Sequence, residues 1–215
     1  MKKIRNILLL LACCLAVSTS FTSCINDNDN NSDNGHYFTK AERAIALTAI
    51  EGNYQSNIKW YTDASNSKVD SMKTSFSIAD STLSMPFPVS ILYKYVPSAD
   101  SSAVKAASPV TFTATIHPYY SISTSNYNSY WLNGSYGYYF IPDKPLTFTA
   151  NNNQYKIEFY TDTYMSFVYS VIYPICEYYN KKLNGYILIK SITVNGNSIN
   201  ANTPIGIIGN KSVYI

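Results

Sequence analysis

Val110-Thr111-Phe112-Thr113-Ala114-Thr115-Ile116 sets an apolar side chain against a threonine at nearly every step. Successive side chains of an extended chain point to opposite faces. This stretch therefore packs one face and wets the other, the pattern of an antiparallel sheet. The same period runs outward in both directions. Tyr54, Ile58 and Trp60 alternate with Gln55, Asn57 and Lys59, and Met72, Phe76 and Ile78 with Lys73, Ser75 and Ser77. Leu83, Met85, Phe87 and Val89 share odd positions, and Pro86 and Pro88 confine that stretch to an edge or a bend. Residues 146–150 and 155–160 flank Asn151-Asn152-Asn153-Gln154 in the manner of a hairpin. Met165, Phe167, Tyr169, Val171 and Tyr173 predict one long strand, and residues 192–194, Asn195-Gly196 and Ile199 a final hairpin. The reading is a mainly β domain built on a single antiparallel sheet; a meander, an open barrel and a sandwich all fit it.

One short helix precedes the strands. Thr39 and Glu42 have the T-x-x-E spacing of a capping box. Ala41, Ala44, Ile45, Thr48 and Ala49 recur at spacings of three and four, which predicts that they form its buried stripe, and Gly52 is placed to stop it.

The opening residues have a different character. Lys2, Lys3 and Arg5 precede an apolar run over residues 7–17, too short for a bilayer, which takes about 20 residues. That is the pattern of a secretory signal, here residues 1–23. Phe21-Thr22-Ser23-Cys24 resembles the lipobox of bacterial lipoproteins. The resemblance implies cleavage before Cys24, lipid on its sulfur and acyl chains that anchor the protein to a membrane without spanning it. Residues 24–35 are rich in Asn and Asp and nearly devoid of apolar side chains, as in a flexible tether, which leaves 36–215 as the domain. Asp27, Asp29 and Asp33 do not make a calcium loop, because the positions for Gly and Glu hold Asn34 and Lys40.

The chain has 16 basic and 13 acidic side chains; without Lys2, Lys3 and Arg5 the two signs balance. Its basic residues are scattered singly, whereas nucleic-acid binding needs them clustered, so no nucleic-acid partner is expected. Cys13 and Cys14 leave with the signal and Cys24 takes lipid, so Cys176 has no disulfide partner and reads as a buried small residue rather than a nucleophile.

The lipobox, the Ala-rich helix running into Ile50-Glu51-Gly52-Asn53-Tyr54, the stretch 80–89 and Ile192-Thr193-Val194-Asn195-Gly196 together resemble a domain-of-unknown-function family of Bacteroidetes-type lipoproteins of about 200 residues. That likeness, with the acidic stretch after Cys24, implies the outer membrane, with the domain at the cell surface or, alternatively, facing the periplasm. It implies no activity. Asp70-Ser71-Met72 and Asp80-Ser81-Thr82 resemble the O-glycosylation acceptor of the same bacteria, making Ser71 and Ser81 candidates for modification.

No metal-ligand spacing, nucleophile motif or phosphate loop is present, so no catalytic residue, metal or cofactor is assigned. His36 and His117 stand alone in the sequence, and Glu158, Asp162 and Glu177 would act as an acid–base pair only if the fold brought two together. The unusual region is 119–140, which holds Tyr119, Tyr120, Tyr127, Tyr130, Trp131, Tyr136, Tyr138 and Tyr139 among Ser, Asn and Gly. That mixture suits a recognition surface, and equally a sheet core. The expectation is a lipid-anchored surface module binding glycan or another surface partner; the alternative is a structural or assembly protein of the envelope with a protein partner.

Overall fold

The computed structural model describes residues 35–62, 68–161, 165–167, 170–172 and 175–212, so residues 1–34 and Cys24 lie outside the described residues. After β1 (Gly35–Tyr37) comes α1 (Lys40–Ile50) and then β2 (Gly52–Tyr61), β3 (Val69–Ala79) and β4 (Thr82–Phe87). A 3-10 turn (Val89–Leu92) and α2 (Ser98–Lys105) lead to β5 (Val110–Pro118) and β6 (Ser121–Ser123). α3 (Thr124–Ser129) and a second 3-10 turn (Trp131–Asn133) precede β7 (Tyr136–Pro142), β8 (Leu146–Ala150) and β9 (Asn153–Phe159). β10 (Met165–Phe167), β11 (Ser170–Ile172), β12 (Ile175–Tyr179), β13 (Lys182–Val194) and β14 (Asn197–Lys211) complete the chain.

Eight of these strands close a barrel. Around it run β2, β3, β4, β5, β7, β12, β13 and β14, each antiparallel to the next, and β14 returns to β2. The sheet expected from the sequence is therefore an up-and-down meander, but closed rather than open. Tight turns connect several neighbours. Asp80-Ser81, Asn151-Asn152, Asn180-Lys181 and Asn195-Gly196 each place two successive residues at positive φ. Two left-handed residues in a row twist the backbone the way paired strands require, and Asn or Asp tolerates the first position. The hairpins expected at 151–154 and 195–196 form. The long strand expected over 165–173 does not: Phe167 pairs back with Ser170. Both strands keep the period-two alternation of the sequence, so periodicity could not separate them, and Tyr169 and Tyr173 lie outside the described residues.

Eight strands enclose a space just wide enough for side chains to fill. Tyr54, Ile58, Phe76, Phe112, Tyr138, Phe140, Leu183 and Ile207 are buried in it. The space is full. A Cβ at Gly185 would collide with Cys176 and press on the Phe140 ring, and one at Gly209 would collide with the Phe76 ring. These glycines yield their volume to aromatic neighbours.

Each end has its own seal. At the end where β2 begins, the capping box forms as expected: Thr39 Oγ1 accepts from the Glu42 amide, and Glu42 accepts from the Thr39 amide. The helix, however, buries Ala46 and Ile50, while Ile45 is exposed. The predicted stripe is thus corrected to the neighbouring face. Alanines lie on both faces of α1, so its weak amphipathy does not decide; the barrel end does. Tyr138 Oη donates to Ala46 O at 2.7 Å and Tyr54 Oη to Ile50 O at 2.6 Å, bonding helix carbonyls to rings in the barrel. At the other end, β13 and β14 run past the barrel, and β8 and β9 extend the sheet alongside them. The 88–107 segment packs there through Val89, Ile91, Leu92 and Val104. Its anchor is Asp100, 3% exposed, whose carboxylate accepts from Asn151 Nδ2, Asn153 Nδ2 and Tyr155 Oη. Those donors, the Tyr155 hydroxyl foremost, hold the carboxyl below the usual carboxylate range.

One seam stays open. β4 pairs with β3 only over Ser77–Ala79, so the outer half of β3 and the facing half of β4 lack a strand between them among the described residues. Pro86 sits on this seam, its carbonyl reached by Thr74 Oγ1, and an amide-less residue costs nothing there. The edge expected from Pro86 is present.

Candidate functional site

Period two divides the tyrosine-rich region. Tyr138 is fully buried and Trp131 only 6% exposed, so neither belongs to a surface. Trp131 stacks on Phe38 at 3.9 Å and meets Tyr136 edge-on at 4.7 Å. Tyr136 is half-buried and parallel to Tyr178. Tyr127 stacks on His36 at 3.6 Å and donates to Glu42 Oε1, which also bonds His36 Nε2 at 3.0 Å. Burial opposes ionisation of Glu42, but the bonds from Thr39, Tyr127 and His36 outweigh it and hold its carboxyl below the ordinary value. These rings fasten β1 and α3 to α1. Burial corrects Trp131 and Tyr138 as surface candidates, whereas Tyr119, Tyr127 and Tyr136 are half-buried against the core and Tyr120, Tyr130 and Tyr139 are exposed.

Tyr139 leads to a larger feature. On the outer wall it stands opposite His117 on β5 and Ile175 on β12. Cys176 opposite Gly185 sets Ile175 beside Tyr186, which is opposite Gly206, itself opposite Lys59, itself opposite Ser71. His117, Tyr139, Ile175, Tyr186, Gly206, Lys59 and Ser71 thus form one outward row across adjacent strands. Tyr139 is 39% and Tyr186 46% exposed, and two strand spacings put them about 10 Å apart. Tyr119 tilts against Tyr139 with centroids 4.8 Å apart, lying on Gly137, where any Cβ would strike its ring.

A groove of about 620 Å³ runs along this wall, lined by Lys59, Tyr61, Ile175, Glu177, Asn184 and Tyr186 over the backbone of Gly206. A Cβ at Gly206 would meet Lys59 and the Tyr186 ring at 3.7–3.8 Å, in ordinary contact, so glycine leaves the trough between them unfilled. One face of an aromatic ring, a carboxylate, an amide and an ammonium converge on an apolar floor. A flat ligand with hydroxyls on its rim fits that set.

The carboxylates considered for acid–base work do not meet. Glu158 pairs across from Ser191 and Glu177 across from Asn184 on the same strand, which separates them by about 20 Å, beyond the 5–9.5 Å of glycosidase pairs. Glu158 instead bonds Lys156 Nζ at 2.7 Å and Ser191. Asp162 lies outside the described residues. Cys176 is 1% exposed and burial pushes its thiol well up, which leaves it the inert side chain its sequence suggested. Among the described residues no three His, Cys, Asp or Glu side chains converge as metal ligands. Ser71 is exposed, and Ser81 is half-buried in its turn.

Sequence reasoning missed Tyr186, Asn184 and Lys59, which sit on strands far apart in the chain. Their one signal was parity: each occupies the wet face of a strand whose dry face is apolar. Comparison with protein-family models and with curated proteins finds no match to this chain.

Proposed function

We propose that this protein is a Bacteroidetes-type lipoprotein, anchored through Cys24 to the outer membrane, whose barrel is a cell-surface glycan-binding module. The observation that carries the binding assignment is the outer-wall groove, with Tyr186 exposed beside Glu177, Asn184 and Lys59. Aromatic faces take the apolar side of a sugar ring, and the flanking polar groups take its hydroxyls. The packed interior leaves the wall as the place for a ligand. That wall also opposes a membrane-spanning role for the barrel itself. A spanning barrel is apolar outside and polar within, whereas here Lys59, Lys73, Glu177 and Asn184 face out and the interior is apolar.

The test is a titration of the full chain in detergent micelles with neutral polysaccharides, starting with dextran and xylan, read by calorimetry. Saturable binding is expected, and Tyr186→Ala should weaken it about 30-fold or more, as loss of a central aromatic contact does. Binding to none of the panel, or binding indifferent to Tyr186→Ala, overturns the reading.

The second reading, an assembly protein with an envelope partner, is favoured by the bare outer edge of β3, where Val69 and Met72 are exposed and an extended partner strand would add. Asp70 on the inner face and Lys73 on the outer face guard that edge, which places this reading second. Slow amide exchange over 69–75 in intact envelopes, lost on purification, would reverse the order.

A further inference from the structure

A second groove, of about 300 Å³, lies between α1 and β5, lined by Lys40, Arg43, Ser81, His117, Pro118 and Tyr120 among others. Its charge is one-sided. Two cations, Lys40 and Arg43, line it beside the His117 imidazole, and among the described residues no carboxylate does. The only carboxylate of α1 itself, Glu42, is engaged by Thr39, His36 and Tyr127. Over residues 36–215 the chain has 13 basic and 10 acidic side chains, and two cations that share a groove without a counter-ion raise the local potential there and draw anions.

The residue types sharpen this. Apart from Arg5 in the leader, Arg43 is the only arginine in the chain. Its Nη1 donates to Phe38 O, and its guanidinium lies 5.6 Å from the centroid of the Tyr120 ring. A guanidinium held by a backbone carbonyl and an aromatic face is pre-oriented, so it loses little freedom when its remaining N–H groups take two oxygens of a planar anion. Lys40, one turn earlier on the helix, supplies a movable ammonium. Tyr120 is 62% exposed, so its ring remains open to a ligand. His117 connects this groove to the tyrosine row, being the residue opposite Tyr139.

We propose that Lys40, Arg43, His117 and Tyr120 form an anion-recognition site for an acidic saccharide, one that carries carboxylate or sulfate groups on sugar rings. The anion binds Arg43 and Lys40, and its sugar ring lies against Tyr120. The saccharide part of this assignment rests on the glycan reading of the outer wall; the anion part rests on the groove alone.

The test measures binding of the full chain in detergent micelles to polygalacturonate, dextran sulfate, neutral dextran and polyglutamate, at fixed ionic strength. Binding of an acidic polysaccharide should exceed that of dextran at least about tenfold, the equivalent of one charge-assisted hydrogen bond. Polygalacturonate and dextran sulfate separate carboxylate from sulfate as the favoured group. Arg43→Lys, which keeps the charge but not the fork, and Lys40→Gln, at an exposed helix position, should each remove most of that excess while leaving dextran binding unchanged. Lys40→Gln serves where Arg43→Lys disturbs the fold through Phe38. An acidic excess that survives both substitutions, or no excess at all beside normal dextran binding, overturns the anion site and leaves the outer-wall reading standing. Polyglutamate binding as tight as that of the acidic polysaccharides overturns the saccharide class. Failure of every polysaccharide sinks the wall reading, and selective binding of free sulfate by the wild-type chain over Lys40→Gln would then still report the anion site separately.

Discussion

The two ends of the barrel are closed by opposite chemistries. The α1 end is sealed by rings: Phe38, Trp131 and Tyr136 in contact, with the hydroxyls of Tyr54 and Tyr138 bonded to helix carbonyls. The α2 end is held by a buried carboxylate, Asp100, meeting three neutral donors from β9 and the turn before it. Burying rings draws on area and tolerates small shifts. Burying a charge requires that every lone pair be met, and it fails abruptly when one is not. One end should therefore resist acid and the other should not.

The largest expected effect breaks the ring end. Trp131→Ala should destabilise the protein by about 3–5 kcal/mol, measured by urea denaturation, because it empties a site that cannot fully collapse. A loss below about 1 kcal/mol would mean that the seal does not depend on its rings. Next comes acid. A carboxyl held below its unfolded-state value stabilises the fold above that value and loses the contribution as pH falls through the folded value. Asp100 and Glu42 are both depressed, so stability should fall as the pH drops below about 4. Asp100→Asn and Glu42→Gln should each flatten that fall, because each removes a carboxyl held below its ordinary value, and at neutral pH Glu42→Gln should cost the less stability, since Gln can still complete a capping box. Melts from pH 6 to pH 2 that keep the wild-type slope in both variants would show that neither carboxylate carries the acid sensitivity. Tyr138→Phe and Tyr54→Phe should each cost about 1 kcal/mol, the net worth of one buried hydrogen bond; an unchanged denaturation midpoint in both would show the helix carbonyls to be satisfied without them.

The smallest effect is a gain. The turns at the α1 end place Ser81 and Lys181 at positive φ, whereas those at the α2 end use Asn152 and Gly196. Lys181→Gly should stabilise by about 1 kcal/mol through removal of that strain. A thermal melt shifted downward would show that Lys181 makes contacts worth more than its backbone costs.

The parts of the fold legible in the sequence are those decided within a few residues. Thr39 and Glu42 announced the cap, Asn195-Gly196 announced its turn, and the Val110–Pro118 alternation survives as β5 with Phe112, Ala114 and Ile116 buried. Closure was not legible, because β12 meets β13 and β14 meets β2 through backbone pairing that no side-chain pattern encodes. Asp100 was invisible for a related reason: its donors lie about fifty residues downstream, and an isolated Asp in a helix reads as surface. The tyrosine cluster was half legible. Tyr138 and Phe140 share a parity that Tyr139 does not, so alternation alone separates core from surface over 136–140. Tyr186 carried only the parity of its strand, facing out with Asn184 while Leu183 and Ile187 are buried.

The pairing of β2 with β14 has a further consequence. The first strand of the barrel is zipped to the last, Trp60 facing Ile205, so the ring has no closed intermediate shorter than nearly the whole domain. Loop-closure entropy is spent before the contacts that repay it can form, which puts folding toward the slow, millisecond-to-second range of β topologies. During synthesis, β2 must wait with one edge bare until β14 is made. Gln55, Asn57 and Lys59 on its wet face give the waiting strand some protection from pairing with the wrong chain.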